Sequence, residues 1–291
     1  MHVCAVTEAM SVSRRREGPA FPLPLARVRP APAVRRAPPG DASTVQRPQG
    51  PLQHAADEAQ RRVAATGLGL DSQGVRDRMV QRLRAAGIRS EAVLLAMASV
   101  PRHAFVDTAL AAQAYEDTSL PIGHGQTISK PSVVARMLEI LMDAPAARAR
   151  GQLGRVLEIG TGCGYQAALL AHLARTVISV ERLRTLHDKA REQLAPLRAT
   201  RTAGDIRLVY GDGQRGHPPN APYEGIIAAA GGEHLPAPWL EQLAVGGRLV
   251  APLQRSGHSV QTLVVVERTE TSYRRSFHEA VHFVPLKSGL G

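Results

Sequence analysis

Seven residues near the middle of the chain carry the strongest chemical signal: Glu158-Ile159-Gly160-Thr161-Gly162-Cys163-Gly164. Glycine at alternate positions lets a backbone turn tightly and lets a ligand approach main-chain N–H groups with no Cβ in the way. The run follows the apolar stretch Arg155-Val156-Leu157-Glu158-Ile159 and precedes a helix starting near Tyr165, so it occupies a strand-to-helix turn. A dinucleotide fingerprint needs its third glycine three residues after the second. Here that position is Tyr165, and an acid, Glu158, closes the strand. The spacing fits a cofactor that lacks a pyrophosphate and has a charged amino-acid end. Two further acids stand at successive strand ends. Glu181 lies about 20 residues past the loop, where an acid hydrogen-bonds ribose hydroxyls. Asp212, inside Gly211-Asp212-Gly213, is placed for an adenine. Either acid alone reads as a surface or turn residue; in register with the loop, the three describe one nucleoside site.

Other reactive residue types carry less. Ser129 lies two residues before Pro131, and proline at the first helical position would open a helix over Pro131 to Leu141. A serine there is commonly a cap, yet a helix start also attracts a carboxylate, so capping and substrate contact are both open. His124 sits in a glycine-flanked loop and reads as solvent-facing. Cys163 reads as a small filler, since nothing nearby would stabilise its thiolate. Trp239, the single tryptophan, reads as a core or cleft-wall residue. No Ser-His-Asp constellation and no His/Cys cluster with metal-ligand spacing is visible, so no metal is expected.

These residues need a scaffold, and the pattern from Asp71 onward supplies one. Apolar residues at helical spacing over Val75–Leu83 stop at Gly87, a fitting C-cap. Ser90 reads as the N-cap of a second helix, Glu91 to Met97, ending before Pro101. Beyond residue 150 short apolar strands alternate with helices: Arg155–Ile159, Thr176–Val180, Ile206–Tyr210, Gly225–Ala229 and Gly247–Ala251. That alternation argues an α/β fold with a parallel sheet covered on both faces. Leu263–Val266 and Val281–Val284 have no helix between them and should pair antiparallel.

Composition divides the chain near residue 70. Residues 1–70 include a Pro/Ala/Arg-rich stretch that should stay extended or disordered, as a tail without function or an over-long start. Residues 71–291 form the domain. The net charge of +11 and pI near 10.7 invite a nucleic-acid reading. Arginine is spread along the chain, however, and aromatic residues are only 3%, too few for base stacking. The surplus reads as a solvated surface. Two cysteines, Cys4 and Cys163, suggest a reducing interior, and neither a secretory signal nor a membrane span is visible.

With these residues in view the chain resembles the protein-L-isoaspartate O-methyltransferase family over roughly residues 75 to 288. Pro101-Arg102-His103-Ala104-Phe105-Val106 resembles its PRxxFV. Leu120-Pro121-Ile122-Gly123 and Gly125-Gln126-Thr127-Ile128-Ser129 resemble its most diagnostic stretch. Arg155 to Gln166 resembles the cofactor segment, Ser179-Val180-Glu181-Arg182 the ribose acid, and Gly246–Val250 a block common to methyltransferases. Phe283-Val284-Pro285-Leu286 resembles the closing motif. Two departures are Ala229-Ala230-Gly231-Gly232 in place of Thr-Ala-Ala-Pro, and Tyr223-Glu224 in place of Phe-Asp. Both bear on substrate fit at the cleft's edge.

The resemblance implies a doubly wound, mostly parallel seven-stranded sheet of the class I, Rossmann-like type, with a helical N-terminal addition. It implies S-adenosylmethionine as cofactor, S-adenosylhomocysteine as product, and isoaspartyl proteins and peptides as partners. It implies Ser129 at the active site, with Gln126, Thr127 and Ile128 over the cofactor. Glu158, Gly160, Thr161, Gly162, Gly164, Glu181, Asp212 and Gly213 complete the expected cofactor site. The methyl ester would collapse to a succinimide that opens partly to normal aspartate. The chain is expected to be a cytoplasmic monomer with no nucleic-acid or membrane partner. Two other readings stay open: the same cofactor with a different acceptor, and a non-catalytic binding module using the basic tail. Ala229–Gly232 argues against a base methyltransferase, which would show an Asn/Asp-Pro-Pro-aromatic motif there.

Overall fold

A computed structural model describes residues 73–200, 204–254 and 260–291; the expected tail over 1–70 lies outside the described residues. Helix α1 (Gln73–Ala85) ends as its sequence suggests, with Gly87 at φ +96°. The amides of Gly87 and Ile88 reach back to the carbonyls of Arg84 and Leu83 at 3.0 and 3.1 Å. Ser90 caps α2 (Glu91–Ser99), accepting from the Val93 amide, and α2 runs two residues past its expected end. Two 3-10 turns, Arg102–Phe105 and Thr108–Gln113, lead into a hairpin of β1 (Leu120–Gly123) and β2 (Gln126–Ile128). Helices α3 (Pro131–Met142) and α4 (Pro145–Arg150) both begin on a proline, whose missing N–H is no loss in a first turn.

The rest alternates as expected: β3 (Leu153–Ile159), α5 (Tyr165–Leu173), β4 (Ala174–Glu181), α6 (Arg184–Thr200), β5 (Asp205–Tyr210), β6 (Tyr223–Ala228), α7 (Ala237–Gln242) and β7 (Leu243–Gln254), then β8 (Gln261–Arg268) and β9 (Tyr273–Val281). The sheet order is β5-β4-β3-β6-β7-β8-β9, with β3 to β7 mutually parallel and β8 and β9 antiparallel. Successive strand residues face opposite sides. Val156, Val177, Ile227 and Val250 enter one core with side chains of α1, α2, α3, α5 and α6. Their neighbours Leu157, Ile178, Ile226 and Leu249 enter a second core with Trp239 of α7. Each fully buried Val, Leu or Ile contributes roughly 1.5–3 kcal/mol, so the two cores fix the strand register.

Two details differ from expectation. Both faces are covered, but unequally, because the β5–β6 connection forms only 3-10 turns at Gly213–Arg215 and Pro218–Asn220. Pro218, Pro219 and Pro222 withhold the amide donors a helix there would use. The second concerns the last strand. β9 pairs antiparallel with β8, but it lies at Tyr273–Val281 rather than Val281–Val284. Every β9 residue except Val281 is exposed, so no alternation of apolar and polar residues marks it. Val284–Leu286 instead turns toward the ends of the parallel strands, where Pro285 bridges to Gly231. Among the described residues no helix is long and apolar enough to cross a membrane.

Candidate active site

The parallel strands end together at one edge, and a cleft opens where β3 and β6, adjacent in the sheet, send their chains to opposite sides. Such a switch point is where open α/β sheets bind ligands. The glycine loop after β3 forms its floor. Gly160, Gly162 and Gly164 adopt φ of +88°, +56° and +90°, a region that disfavours side chains. The amides of Gly160 and Thr161 bond to the Val180 carbonyl at 2.9 and 3.3 Å. Glu181 accepts from the Gly162 amide on one oxygen and the Leu183 amide on the other, both at 2.9 Å. The acid at the end of β4 thereby holds the loop after β3 in place while lining the cleft itself.

Beneath the floor lies a buried polar chain. Thr161 Oγ1 meets Ser179 Oγ at 2.5 Å, and the Ser179 hydroxyl reaches the Glu158 carboxyl at the same distance. Glu158 is wholly buried, and burial pushes its pKa up to about 8 against the pull of the Ser179 hydroxyl. Its Oε1 and the Gln166 Nε2 are buried with no hydrogen-bond partner, and Gln166 lines the cleft. Cys163 is buried in the same loop and its thiol is pushed up to about 11 by burial, so it stays neutral as a filler would.

The opposite wall is the β1–β2 hairpin. Ile122, His124, Gln126, Thr127, Ile128 and Ser129 all line the cleft. His124 is the single non-glycine residue at positive φ among the described residues, and its ring nitrogen lies 2.8 Å from the Thr185 hydroxyl of α6. It thus bridges hairpin and helix instead of facing solvent alone. Ser129 is not the cap of α3. Lys130 occupies that position without a side-chain bond, and Asp117 does the work, accepting from the Ser132 amide at 2.9 Å and its hydroxyl at 2.8 Å. The Ser129 hydroxyl, half-buried at the cleft, makes no hydrogen bond among the described residues.

Of the residues read from sequence, Gln126, Thr127, Ile128, Ser129, Gly160, Thr161, Gly162, Glu181 and Gly213 line one cleft. Glu158, Gly164 and Asp212 do not. Glu158 lies under the floor. Gly164 precedes α5 and packs on α6, where a Cβ would stand 3.1 Å from Leu194. Asp212 accepts from the amides of Gln214 at 2.9 Å and Gly289 at 2.8 Å, outside the cleft wall. Trp239 donates to the Gly213 carbonyl at 2.8 Å and so fixes the residue beside it that does line the cleft. Reading by motif did not single out Leu183 and Leu186, which carry no chemical signature, or Lys287.

The comparisons with known proteins bear on what this cleft serves. The family model for protein-L-isoaspartate(D-aspartate) O-methyltransferase matches residues 74–291. A protein-L-isoaspartate O-methyltransferase of Methylibium petroleiphilum is 60% identical over 94% of this chain and 98% of its own. One from Leptothrix cholodnii is 58% identical over 92% and 94%. The chain belongs to the protein-L-isoaspartate(D-aspartate) O-methyltransferase family. It is an S-adenosylmethionine-dependent enzyme acting on isoaspartyl residues of proteins. Matches of this length also run into the first seventy residues, so that segment is shared with relatives.

Among solved structures, a protein-L-isoaspartate O-methyltransferase superposes with a TM-score of 0.64 at 25% identity, covering 74% of this chain and 67% of that one. A Plasmodium falciparum protein, solved with S-adenosyl-L-homocysteine, superposes at 0.62 with 21% identity over 73% of this chain and 98% of its own, which shows the shared fold. The cleft of this methyltransferase fits its cofactor. The glycine floor admits a ligand against the backbone, and Glu181 presents a carboxylate.

Proposed function

We propose that this cleft holds S-adenosylmethionine through Gly160, Thr161, Gly162, Glu181 and Gly213, under a cover of Gln126, Thr127 and Ile128, and that Ser129 orients the isoaspartyl carboxylate. Glu158, Gly164 and Asp212 support the same site from outside its wall. The observation that carries the reading is that Ser129 lines the glycine loop's cleft while Asp117, and not Ser129, holds the start of α3.

The cofactor supplies an electrophilic methyl group on a sulfonium and leaves as S-adenosylhomocysteine. The chain's own task is small in chemistry and strict in geometry. An isoaspartyl carboxylate is already an anion at neutral pH, so no side chain has to remove a proton. Ser129 donates a hydrogen bond that orients the attacking oxygen, and the hairpin keeps water from the carboxylate. The reading requires no metal, so a chelator should leave turnover unchanged. It also takes the enzyme as a cytoplasmic monomer with protein substrates and no nucleic-acid partner.

The test uses methyl-labelled cofactor with an isoaspartyl peptide and with the same peptide carrying normal aspartate. Base-labile label on the first peptide alone supports the assignment. Equal labelling of both, or of neither, overturns it.

A further inference from the structure

Arg102 is fully buried, and it has no carboxylate partner among the described residues. A buried cation is retained against a large desolvation cost, which here lowers its pKa from the ordinary arginine value. Its contacts are carbonyls and a ring. Nε donates to the Ala114 carbonyl at 2.7 Å, and Nη2 donates to the Ser129 carbonyl at 2.7 Å and the Thr118 carbonyl at 3.4 Å. The guanidinium carbon lies 4.9 Å from the centre of the Tyr165 ring, at the first residue of the helix after the glycine loop. Nη1 has no partner.

The placement matters because of where Ser129 sits. Strand β2 ends at Ile128 and α3 begins at Pro131, so the Ser129 peptide has neither a ladder nor a helix to hold it. One planar, charged fork spans the gap between that peptide, the segment before β1, and the start of α5. Only a guanidinium offers donors in fixed directions together with a flat face for an aromatic ring.

We infer that Arg102 is a positioning residue for the methyl-transfer step: it pins the Ser129 carbonyl and thereby sets the direction of the Ser129 hydroxyl relative to the glycine loop. The inference rests on the role proposed for Ser129. Arg102→Met removes the charge and keeps an unbranched apolar side chain. The Ala114 and Ser129 carbonyls lose their donor, so the melting temperature should fall modestly while the fold is kept. The affinity for S-adenosylhomocysteine, measured by calorimetry, should stay within about twofold, whereas kcat on an isoaspartyl peptide falls between about 10- and 100-fold.

A double-mutant cycle decides the mechanism. If Arg102 acts through Ser129, Arg102→Met in a Ser129→Ala background costs little further kcat. Losses that multiply independently overturn the inference. A Ser129→Ala enzyme with wild-type kcat instead overturns the role of Ser129 itself, which is a separate result. Arg102→Lys, which keeps the charge and one donor, covers the case in which the methionine variant does not fold. It should lose kcat without losing cofactor affinity, and equal losses of both count against positioning.

A second observation stands apart from the first. Val284–Lys287 lines the cleft, docked by mutual bonds between Gly231 and the Val284 and Leu286 peptides at 3.0 and 2.7 Å. The chain then crosses the ends of β4 and β5. Gly289 donates to Asp212 at 2.8 Å and accepts from Arg182 Nε at 2.9 Å. Gly291 donates to the Arg182 carbonyl at 2.9 Å and accepts from the Arg184 amide at 3.1 Å. Ser288–Gly291 is exposed throughout, with Leu290 at 57%. Polar contacts without apolar burial belong to segments that open locally at low cost.

We propose that Ser288–Gly291 is a strap that ties down the cleft-lining Val284–Lys287 from outside the cleft wall and that its release sets the rate of cofactor exchange, on the reading that the cleft holds S-adenosylmethionine. Gly289→Pro removes the donor to Asp212 and cannot adopt the native φ of +74°. Deletion of residues 288–291 removes the strap outright. Both should leave the unliganded melting temperature in place and speed S-adenosylhomocysteine dissociation, followed by displacement in stopped flow, by about tenfold or more. Unchanged or slower dissociation overturns the strap. Failure of the unaltered protein to bind S-adenosylhomocysteine overturns the cofactor reading instead.

Discussion

At the scale of single residues, the Asp117 carboxylate receives both the amide and the hydroxyl of Ser132, which leaves the Ser129 hydroxyl available to a ligand. Removing a hydrogen bond to a charged group costs about 1.5–3 kcal/mol, so Ser129→Ala should lower kcat by roughly 10- to 100-fold at saturating cofactor. Its melting temperature should not move, because the hydroxyl caps nothing. Glu158 leads to a prediction in pH. Its folded-state pKa, raised to about 8, lies above the ordinary value of 4.5, so folding is favoured by the protonated form. The stability it contributes is complete below about pH 4.5 and is lost as pH rises through about 8. Thermal melts of Glu158→Gln and the unaltered protein should therefore coincide near pH 4 and diverge toward pH 9, with the glutamine form the more stable. A constant gap would show that Glu158 is ionised throughout.

At the scale of elements, α3 is the piece whose start decides the site. Its proline at the first helical position and its apolar face are visible in Pro131–Met142, yet its cap comes from Asp117, fourteen residues earlier than the helix. Asp117→Ala should cost about 1 kcal/mol, seen as a fall of about 2–4 °C in melting temperature for a domain of this size. A serine adjacent to a proline is a strong local hint of a cap, and local rules cannot see a carboxylate that arrives through the chain's path in space. β9 illustrates the complementary blindness. Its exposed Tyr273–Ala280 run has no buried face, and only pairing with β8 makes it a strand. Strands β3, β4 and β6 were legible because each is buried on both sides and therefore nearly continuous in apolar residues.

At the scale of the whole molecule, the family match begins at residue 74, next to the start of the first described helix. A chain of residues 71–291 should fold, bind S-adenosylhomocysteine, and keep kcat/KM for an isoaspartyl peptide within about twofold. A larger loss would assign the first seventy residues a part in the activity, in keeping with their presence in relatives. What the amino-acid order determined alone was the cofactor loop, the run of five parallel strands, and the family. Each depends on residues close together in the chain, where glycine spacing and apolar period act directly. Tertiary structure decided how the Ser129 hydroxyl is freed, why Glu158 lies below the floor, and which residues close the cleft. Those outcomes depend on partners far apart in sequence: Asp117 for Ser132, Ser179 for Glu158, Arg102 for Ser129, and Gly289 for Asp212. Burial and hydrogen bonding are properties of assembled neighbours, so they become readable only once the sheet has brought those neighbours together.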